Sequence, residues 1–531
     1  MSTAQVRSGR RFLTGWLDAA TLTIIAAYTA GWGLILFNGG RYWDDWCLVR
    51  LSVPTALTMA DMPGQPWQGY LWLVISWVPG VEYILHALTF LLFLAVAIIL
   101  HRLLRKTPGV SSSMALTVSL LFALFPVNAA RVAHIDFQYT VTLAAFYAAW
   151  YLVVIDLDRP RLARRAISAV LFAFALVTTA SMLMFIAIVI GHVLWICRGD
   201  LANTTKRQGL LKQYGYLILL PVIAVLYRAF AQVPWGLYEG YNQFGLHSIT
   251  GLLELPAAVR GSLFAPLLPA LPALGLAVPI YLLMRSRKRR EGEGDDIGYA
   301  KIAGAGVIAL VFALVPYLAV GKIPQQVGVD AWDSRHQLLV PLGATLILYA
   351  GVMALVRSLK IDRRVGLAVL LALTAGFVVM DARFALMYQA DWYKQVALMA
   401  EMRASEAFRD GNYFVIRDEA VELNALDRRY LPYELSGMMY SVFDEPTRFA
   451  WDEALGAGYA AQLTAYREYR QYHWWEWEEP VRGYTVTIRP GDTDIRHVPT
   501  LLELMWRERV DRPGFDERLE GVLEVSAEPA E

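Results

Sequence analysis

Long apolar runs alternate with short polar segments over the first 381 residues of this 531-residue chain. A helix needs about 20 mostly apolar residues to cross the hydrocarbon core of a bilayer. Windows of that size predict eleven membrane spans, at 17–37, 80–100, 111–127, 139–155, 166–180, 182–197, 214–233, 262–284, 299–320, 337–356 and 365–381. The fifth and sixth windows are short and nearly contiguous, so residues 166–197 are interpreted either as two spans or as one re-entrant hairpin.

Residues 382–531 follow a different pattern. Residues 413–416 and 484–488 are rich in aromatic and β-branched side chains, which predicts strands, and residues 392–409 have the spacing of an amphipathic helix. An aromatic cluster at 473–477 is of a kind that disordered acidic tails lack. Its tryptophans suit sugar stacking, a domain core or a membrane-interface belt equally. We therefore predict a transmembrane domain at 1–381 and a small α/β domain at 382–531.

The composition agrees with a membrane protein. Apolar residues make up 56% of the chain and charged residues 18%, against about 45–50% and about 25% in soluble domains. These values exclude a purely soluble enzyme, and the formal net charge of +1 gives no reason to expect a nucleic-acid partner. That charge is a cancellation, because residues 1–381 carry 31 basic and 19 acidic side chains, and residues 382–531 carry 17 and 28.

The basic residues also predict an orientation, since Lys and Arg accumulate in cytoplasmic loops. Alternate connecting segments carry 23 basic residues on one side of the predicted spans and five on the other. The N-terminus is then cytoplasmic, and eleven spans place residues 382–531 outside the cytoplasm. We expect a multi-pass protein of the cell inner (plasma) membrane with a periplasmic C-terminal domain. Cys47 and Cys197 would lie on opposite faces and could not form a disulfide.

The sharpest candidate for chemistry directly follows the first span. Asp44 and Asp45 are adjacent and lie between Trp43 and Trp46. Neighbouring carboxylates raise one another's pKa, and a raised pKa suits a general base that takes a proton from a hydroxyl. The alternative is a structural role for the pair, either as a helix cap or in salt bridges to the nearby arginines.

The second outer loop, residues 128–138, holds Arg131, His134 and Asp136. A His and an Asp two positions apart could bind a metal ion on an extended segment, or could form a hydrogen-bonded pair that orients a substrate. No further ligand is fixed by spacing, so no cofactor is assigned, although a divalent cation is compatible with this pair. The simplest alternative is a polar loop that contacts the C-terminal domain.

Cations are sparse on the predicted outer face, and each is a candidate for phosphate recognition. Arg228 lies near the outer end of the seventh span, where snorkelling to the interface is the alternative explanation. Arg335 and His336 precede the tenth span, and helix capping does not explain an arginine at that position. A guanidinium matches phosphate oxygens bidentately. Glu239 lies in the outer loop between the seventh and eighth predicted spans, and this loop would line a substrate groove or would be an ordinary surface loop.

An acidic pair just after the first span, many alternating spans and a C-terminal outer domain resemble the GT-C fold glycosyltransferases. These polytopic enzymes transfer sugars from polyprenyl-phosphate carriers. The resemblance implies a GT-C-like, mainly α fold and places the catalytic acid at Asp44 or Asp45. The second outer loop has His134-Ile-Asp136 where oligosaccharyltransferases of this fold have an Asp-x-Asp motif, so the resemblance does not imply a metal-dependent mechanism.

The resemblance also implies the partners. They are a polyprenyl-phosphate-linked sugar, a glycan, lipid or protein acceptor, and the membrane lipids. The first-loop carboxylate would deprotonate the acceptor hydroxyl in an inverting transfer, and outer arginines would neutralise the leaving phosphate. Two alternatives remain, a transporter or flippase of lipid-linked saccharides and a non-catalytic scaffold in envelope assembly. Few charged residues lie in the middle of the predicted spans, and no internal repeat is visible in the sequence. Both observations favour the enzyme over the transporter.

Overall fold

The computed structural model describes residues 18–240, 246–286, 297–322, 332–456 and 482–530. In these ranges eight helical segments are long and apolar enough to cross a membrane: Ala19–Phe37, Val81–Lys106, His134–Asp158, Thr204–Ala231, Leu255–Arg285, Tyr299–Leu318, Val340–Ser358 and Arg363–Ala404. Two shorter apolar helices accompany them. The chain is a mainly helical, polytopic membrane protein.

The α-helices of the membrane part are α1 (Ala19–Trp32), α2 (Val53–Asp61), α3 (Trp67–Trp77), α4 (Val81–Lys106), α5 (Ser112–Leu124), α6 (Phe137–Asp158), α7 (Leu162–Thr178), α8 (Met182–Ile196), α9 (Thr204–Tyr214), α10 (Tyr216–Ala231), α11 (Leu246–Leu253), α12 (Leu255–Val259), α13 (Ala277–Arg285), α14 (Tyr299–Leu318), α15 (Val340–Ser358) and α16 (Arg363–Ala404). A π-helical turn at Arg260–Phe264 and a 3₁₀ segment at Leu268–Leu276 join α12 to α13.

Every one of the eleven predicted spans coincides with a helical segment, and eight of them reach the length and apolarity of a span. The third, fifth and sixth predicted spans correspond to the shorter helices α5, α7 and α8. Helix α7 packs against α6 and α10, and α8 packs against α14 and also contacts α10 and α7. Residues 166–197 therefore form two helices, both in contact with α10.

The helices of the bundle differ in how much of their surface is buried. Helix α16 contacts α1, α5, α13 and α15. The segments Thr204–Ala231 and Leu255–Arg285 are only 17% and 6% buried, so most of their apolar side chains are left for lipid. Helices α14 and α15 cross closely, because a Cβ atom at Gly343 would lie 2.4 Å from the Leu310 nitrogen. Small residues at such crossings let helix backbones approach in a membrane.

Helix α16 continues without a break from the membrane part into the C-terminal part. It runs for 42 residues, so the domain boundary predicted at residue 381 lies inside a helix. Tyr388 is buried in the core of the bundle, whereas Leu398 and Met402 belong to a second core. The long apolar segment of the sequence ends at residue 381. The helix continues beyond this residue because the following turns of α16 pack against the second core.

The C-terminal part is an α/β unit, as predicted. Its helices are α17 (Glu406–Asp410), α18 (Pro432–Phe443), α19 (Val498–Val510) and α20 (Arg512–Glu520), and its strands are β1 (Tyr413–Asp418), β2 (Phe449–Asp452), β3 (Gly483–Pro490) and β4 (Leu523–Pro529). The sheet order is β2-β1-β3-β4. Strand β1 is parallel to β2 and to β3, with Tyr413 opposite Phe449 and Gly483, and β4 is antiparallel to β3.

The second core joins this sheet to the membrane part. Phe414 and Ile416 on β1 and Val486 on β3 point into it and are buried. Trp46 and Val49, which follow the first span, are buried in the same core. The loop that carries the acidic pair is therefore part of the hydrophobic core of the C-terminal unit.

Candidate functional site

Residues Trp43–Leu48 form a 3₁₀ helix at the junction of the bundle and the C-terminal unit. Trp43 has a φ angle of 50°, in the left-handed region that non-glycine residues seldom adopt. Its N–H donates to Glu434 Oε1 at 3.0 Å, and its ring packs on Trp332 with centroids 5.2 Å apart. Backbone strain of this kind costs about 1–3 kcal/mol and persists where the surroundings fix it. The contacts of Trp43 supply that constraint directly beside the two carboxylates.

Asp45 is fully buried and serves as an anchor. Its carboxylate accepts the backbone N–H groups of Tyr42, His134 and Ile135 at 3.1, 2.9 and 2.8 Å. Burial raises the pKa of Asp45 to about 7, and the three N–H donors oppose that rise. The donors at 134 and 135 open the 3₁₀ turn that leads into α6, so Asp45 caps that helical segment from another loop.

Asp44 has a different environment. Its side chain is only partly buried, and it accepts a hydrogen bond from the Tyr433 hydroxyl on α18. Burial raises the pKa of its carboxyl, and the Arg335 guanidinium and the Tyr433 hydroxyl lower it by less. This leaves a partly accessible carboxylate with a raised pKa beside a cation.

Arg335 brings the two outer loops together. Its guanidinium interacts with the carboxylates of Asp136 and Asp44 and lies 4.0 Å from the centre of the Trp332 ring. A small cavity with room for about one water molecule lies beside it. Its walls are formed by Asn128, Arg131, Asp136, Tyr139, Thr140, Arg335 and Leu338. Two buried acceptor atoms on these walls, Asn128 Oδ1 and Asp136 Oδ2, have no hydrogen-bond partner among the described residues. The cavity thus presents a cation and unsatisfied acceptors together.

Arg131 reaches the same cavity from its inner side. Its guanidinium lies 3.9 Å from Asp381 Oδ1 and 3.5 Å from the centroid of the Trp32 ring. Asp381 is fully buried on α16. Both cations lie near a carboxylate, since Arg335 is 3.7 Å from Asp333 Oδ1, but the Arg335 side chain is 18% exposed and the Arg131 side chain only 7%.

The predicted histidines occupy the edges of this region. His134 is buried, stacks on His86 with centroids 4.6 Å apart and lies 3.3 Å from Asp45 Oδ2. His336 packs on Tyr317 at 4.8 Å and lies 3.7 Å from Asp333. Within the described residues no group of three or more His, Cys, Asp and Glu side chains is arranged to hold a metal ion.

Two predicted phosphate or substrate residues lie elsewhere. The Arg228 guanidinium donates to the Val177 carbonyl at 2.8 Å, which ties α10 to the end of α7. It is absent from the walls of the cavity. Glu239 is exposed in a turn. Both residues were selected because they were predicted to lie on the outer face. Arg228 does not line the cavity itself but interacts with Tyr139, which does. The aromatic cluster at 473–477 lies outside the described residues.

A buried charged cluster behind the loop was missed by the sequence analysis. Arg428 binds Glu434 with two hydrogen bonds of 2.7 and 2.9 Å and binds Asp391 at 2.9 Å. Asp391 also accepts from the Tyr430 hydroxyl at 2.9 Å. Because Glu434 holds the Trp43 N–H, this cluster connects α16 and α18 to the strained residue beside Asp44. These charges look ordinary in the sequence of an acidic domain, and only the tertiary fold brings them together.

Comparison with known proteins adds no relative. No family model matches the chain, and neither a curated protein nor a solved structure matches it. The functional interpretation therefore depends on the geometry described above.

Proposed function

We propose that the protein is a membrane glycosyltransferase of the GT-C type. It would move a sugar from a polyprenyl-phosphate carrier to an acceptor hydroxyl on an envelope glycan, lipid or protein. The observation that carries the proposal is the partly accessible Asp44 carboxylate beside Arg335, next to a cavity with unsatisfied acceptors. The site lies where the helical bundle meets the C-terminal unit, because Arg335 precedes α15 and Tyr433 belongs to α18.

The reaction would be a single displacement with inversion. Asp44 accepts the proton of the acceptor hydroxyl while the hydroxyl oxygen forms a bond to the anomeric carbon of the sugar. The bond from that carbon to the phosphate oxygen breaks, and the polyprenyl phosphate leaves. Arg335 stabilises the negative charge that develops on the leaving oxygen, since a guanidinium in a water-poor site is effective there.

The remaining polar groups would position the substrates. Asn128 Oδ1 and Asp136 Oδ2 lie on the cavity wall without partners, and they would accept from a single hydroxyl group that enters the cavity. Asp45 would keep the second loop in place rather than take part in proton transfer. We place the site on the outer face of the inner (plasma) membrane, with a cytoplasmic N-terminus, because of the 23-to-5 distribution of basic residues.

Purified protein in lipid nanodiscs, given a short-chain polyprenyl-phosphate sugar and candidate acceptors, tests this assignment. The expected result is release of polyprenyl phosphate coupled to a new glycosidic bond of inverted configuration. Movement of the intact carrier across proteoliposome membranes without cleavage would instead establish a flippase. Neither transfer nor movement, with a folded protein and a broad acceptor panel, would favour the scaffold.

A further inference from the structure

Helix α19 of the C-terminal unit leaves a row of large apolar side chains uncovered. Val498, Leu502, Trp506 and Val510 are 46%, 44%, 68% and 57% exposed and recur every four residues over the length of the helix. An exposed apolar row of this kind on a folded domain marks an interaction surface. We name these four residues the α19 stripe.

The helix has three distinct faces. Leu501 and Leu504 point into the second core and are buried. Glu503 and Arg507 form a salt bridge on a solvated face. At about 100° per residue the α19 stripe lies between these two faces, so it belongs neither to the core nor to the polar side. A helix that only covers the sheet needs one apolar face and one polar face, and the exposed apolar face formed by the α19 stripe is additional to these.

The position of α19 identifies what covers the stripe. Arg509, which projects along the same side of the helix as the stripe, donates to the Phe37 carbonyl at 3.1 Å and lies over the Tyr83 ring at 4.6 Å. Phe37 is the last residue of the first membrane-spanning segment, and Tyr83 is in the first turn of α4. The helix is therefore held at the level where two spans end.

Lipid-facing residues of the spans continue at the same level. Phe37 is 47% exposed, and Ile84 on α4 is 53% exposed. Tryptophan and arginine are typical of helices that lie in the membrane interface, with an apolar face buried about 5–10 Å into the headgroup and acyl boundary. We propose that the α19 stripe docks on the surface of the phospholipid bilayer and fixes the C-terminal unit against it. This proposal is independent of the proposed enzymatic function.

Site-directed spin labelling of the full chain in phospholipid vesicles tests the docking. Single cysteines replace Leu502 and Trp506 on the stripe, and Glu503→Cys on the polar face is the matched control. The two native cysteines are buried, and labelling of the unmodified protein measures their background. Collision rates of each label are then measured with oxygen, which concentrates in lipid, and with a water-soluble nickel chelate.

We expect labels at 502 and 506 to collide more with oxygen than with nickel, and the label at 503 to show the reverse. Nickel-dominated collisions at 502 and 506 would mean that the stripe faces water and would overturn the proposal. Low collision rates with both reagents would mean that protein covers the stripe, as in an assembly of copies, and would also overturn it. Because the labelled residues are on the surface, the assay does not depend on a destabilised variant.

Discussion

Asp44 and Asp45 are neighbours in the chain, but their side chains leave the 3₁₀ helix in different directions. Successive side chains on such a helix diverge by about 120°. Asp45 points inward to three backbone donors, and Asp44 points to Tyr433 and Arg335. The pair is therefore one anchoring carboxylate and one that remains available for proton transfer.

The pH dependence of the reaction follows from Asp44. Burial raises the pKa of this carboxyl above its ordinary value, which is near 3.9. A general base works only when deprotonated, so the transfer rate should fall with decreasing pH around a midpoint above that value. The pH–rate profile of Asp44→Glu should still fall at low pH. A wild-type rate that stays constant down to the ordinary carboxyl range would contradict the assignment.

The stability of the protein should depend on Asp45 and much less on Asp44. Asp45→Ala leaves three buried N–H groups without their acceptor, and each lost partner costs about 1–3 kcal/mol. Chemical unfolding in detergent should show a clear loss for Asp45→Ala and a small one for Asp44→Ala. Equal losses in the two variants would show that the carboxylates share one structural role.

Asp45 also gives that stability a pH dependence of known sign. Its folded-state pKa of about 7 exceeds the ordinary carboxyl value. At a pH between these two values the folded protein therefore binds one more proton than the unfolded protein. The contribution of this group is greatest at low pH and is lost as the pH rises through about 7. Asp45→Asn should remove this component of the pH profile.

At the scale of elements, α18 holds the loop by its backbone, and α16 holds it by the side chains of Tyr42 and Trp46. Glu434 accepts the Trp43 N–H at 3.0 Å and the Leu431 N–H at 3.0 Å while it is bound to Arg428. Helix α18 approaches the loop closely, because a Cβ atom at Gly437 would lie 2.8 Å from the Trp46 carbonyl oxygen. The position of Asp44 is therefore set by residues nearly 400 positions further along the chain.

Glu434 should act as a positioning residue. Glu434→Ala removes the acceptor of the strained Trp43 N–H and leaves Arg428 with one carboxylate partner. We expect kcat to fall at least tenfold with a smaller change in KM for the carrier, because the base is displaced while the cavity remains. Glu434→Gln keeps an acceptor and should recover part of kcat. Equal kcat values for Glu434→Ala and the wild type would contradict the role.

The sequence predicted elements better than it predicted their junctions. The eleven apolar windows all coincide with helical segments, and the strand patterns at 413–416 and 484–488 lie within β1 and β3. The domain boundary predicted at 381 falls inside α16, which continues through it. Local patterns report whether a side chain meets an apolar surface, and they do not distinguish lipid from a neighbouring protein core.

Local sequence patterns also limited how much of the candidate site could be predicted. Asp44 and Asp136 were found because acids are conspicuous beside apolar spans, and the structure brings both to Arg335. Arg428 and Glu434 were missed, since ion pairs in an acidic domain look ordinary in sequence. Arg228 and Glu239 were included because topology predicts which face a residue lies on but gives no distance within that face.

At the scale of the molecule, the C-terminal unit and the first loop share one core. Weakening that core should therefore expose the loop. Phe414→Ala, in a position that is 0% exposed, should speed amide hydrogen exchange in β1 and in residues 43–50 together. Phe172→Ala, in the core of the bundle, is the matched control. Unchanged exchange at 43–50 in Phe414→Ala would show that the loop is held by the bundle alone.

The most direct test of the account is the transfer rate of Asp44→Asn in nanodiscs with saturating polyprenyl-phosphate sugar. Asp61→Asn is the matched control, an exposed acid that follows the first span in the same connecting segment. We expect Asp44→Asn to fold and to bind the carrier but to lose transfer by at least about 100-fold, because a general base is removed. Asp61→Asn should keep the wild-type rate. Transfer by Asp44→Asn at the rate of the wild type would contradict the central claim.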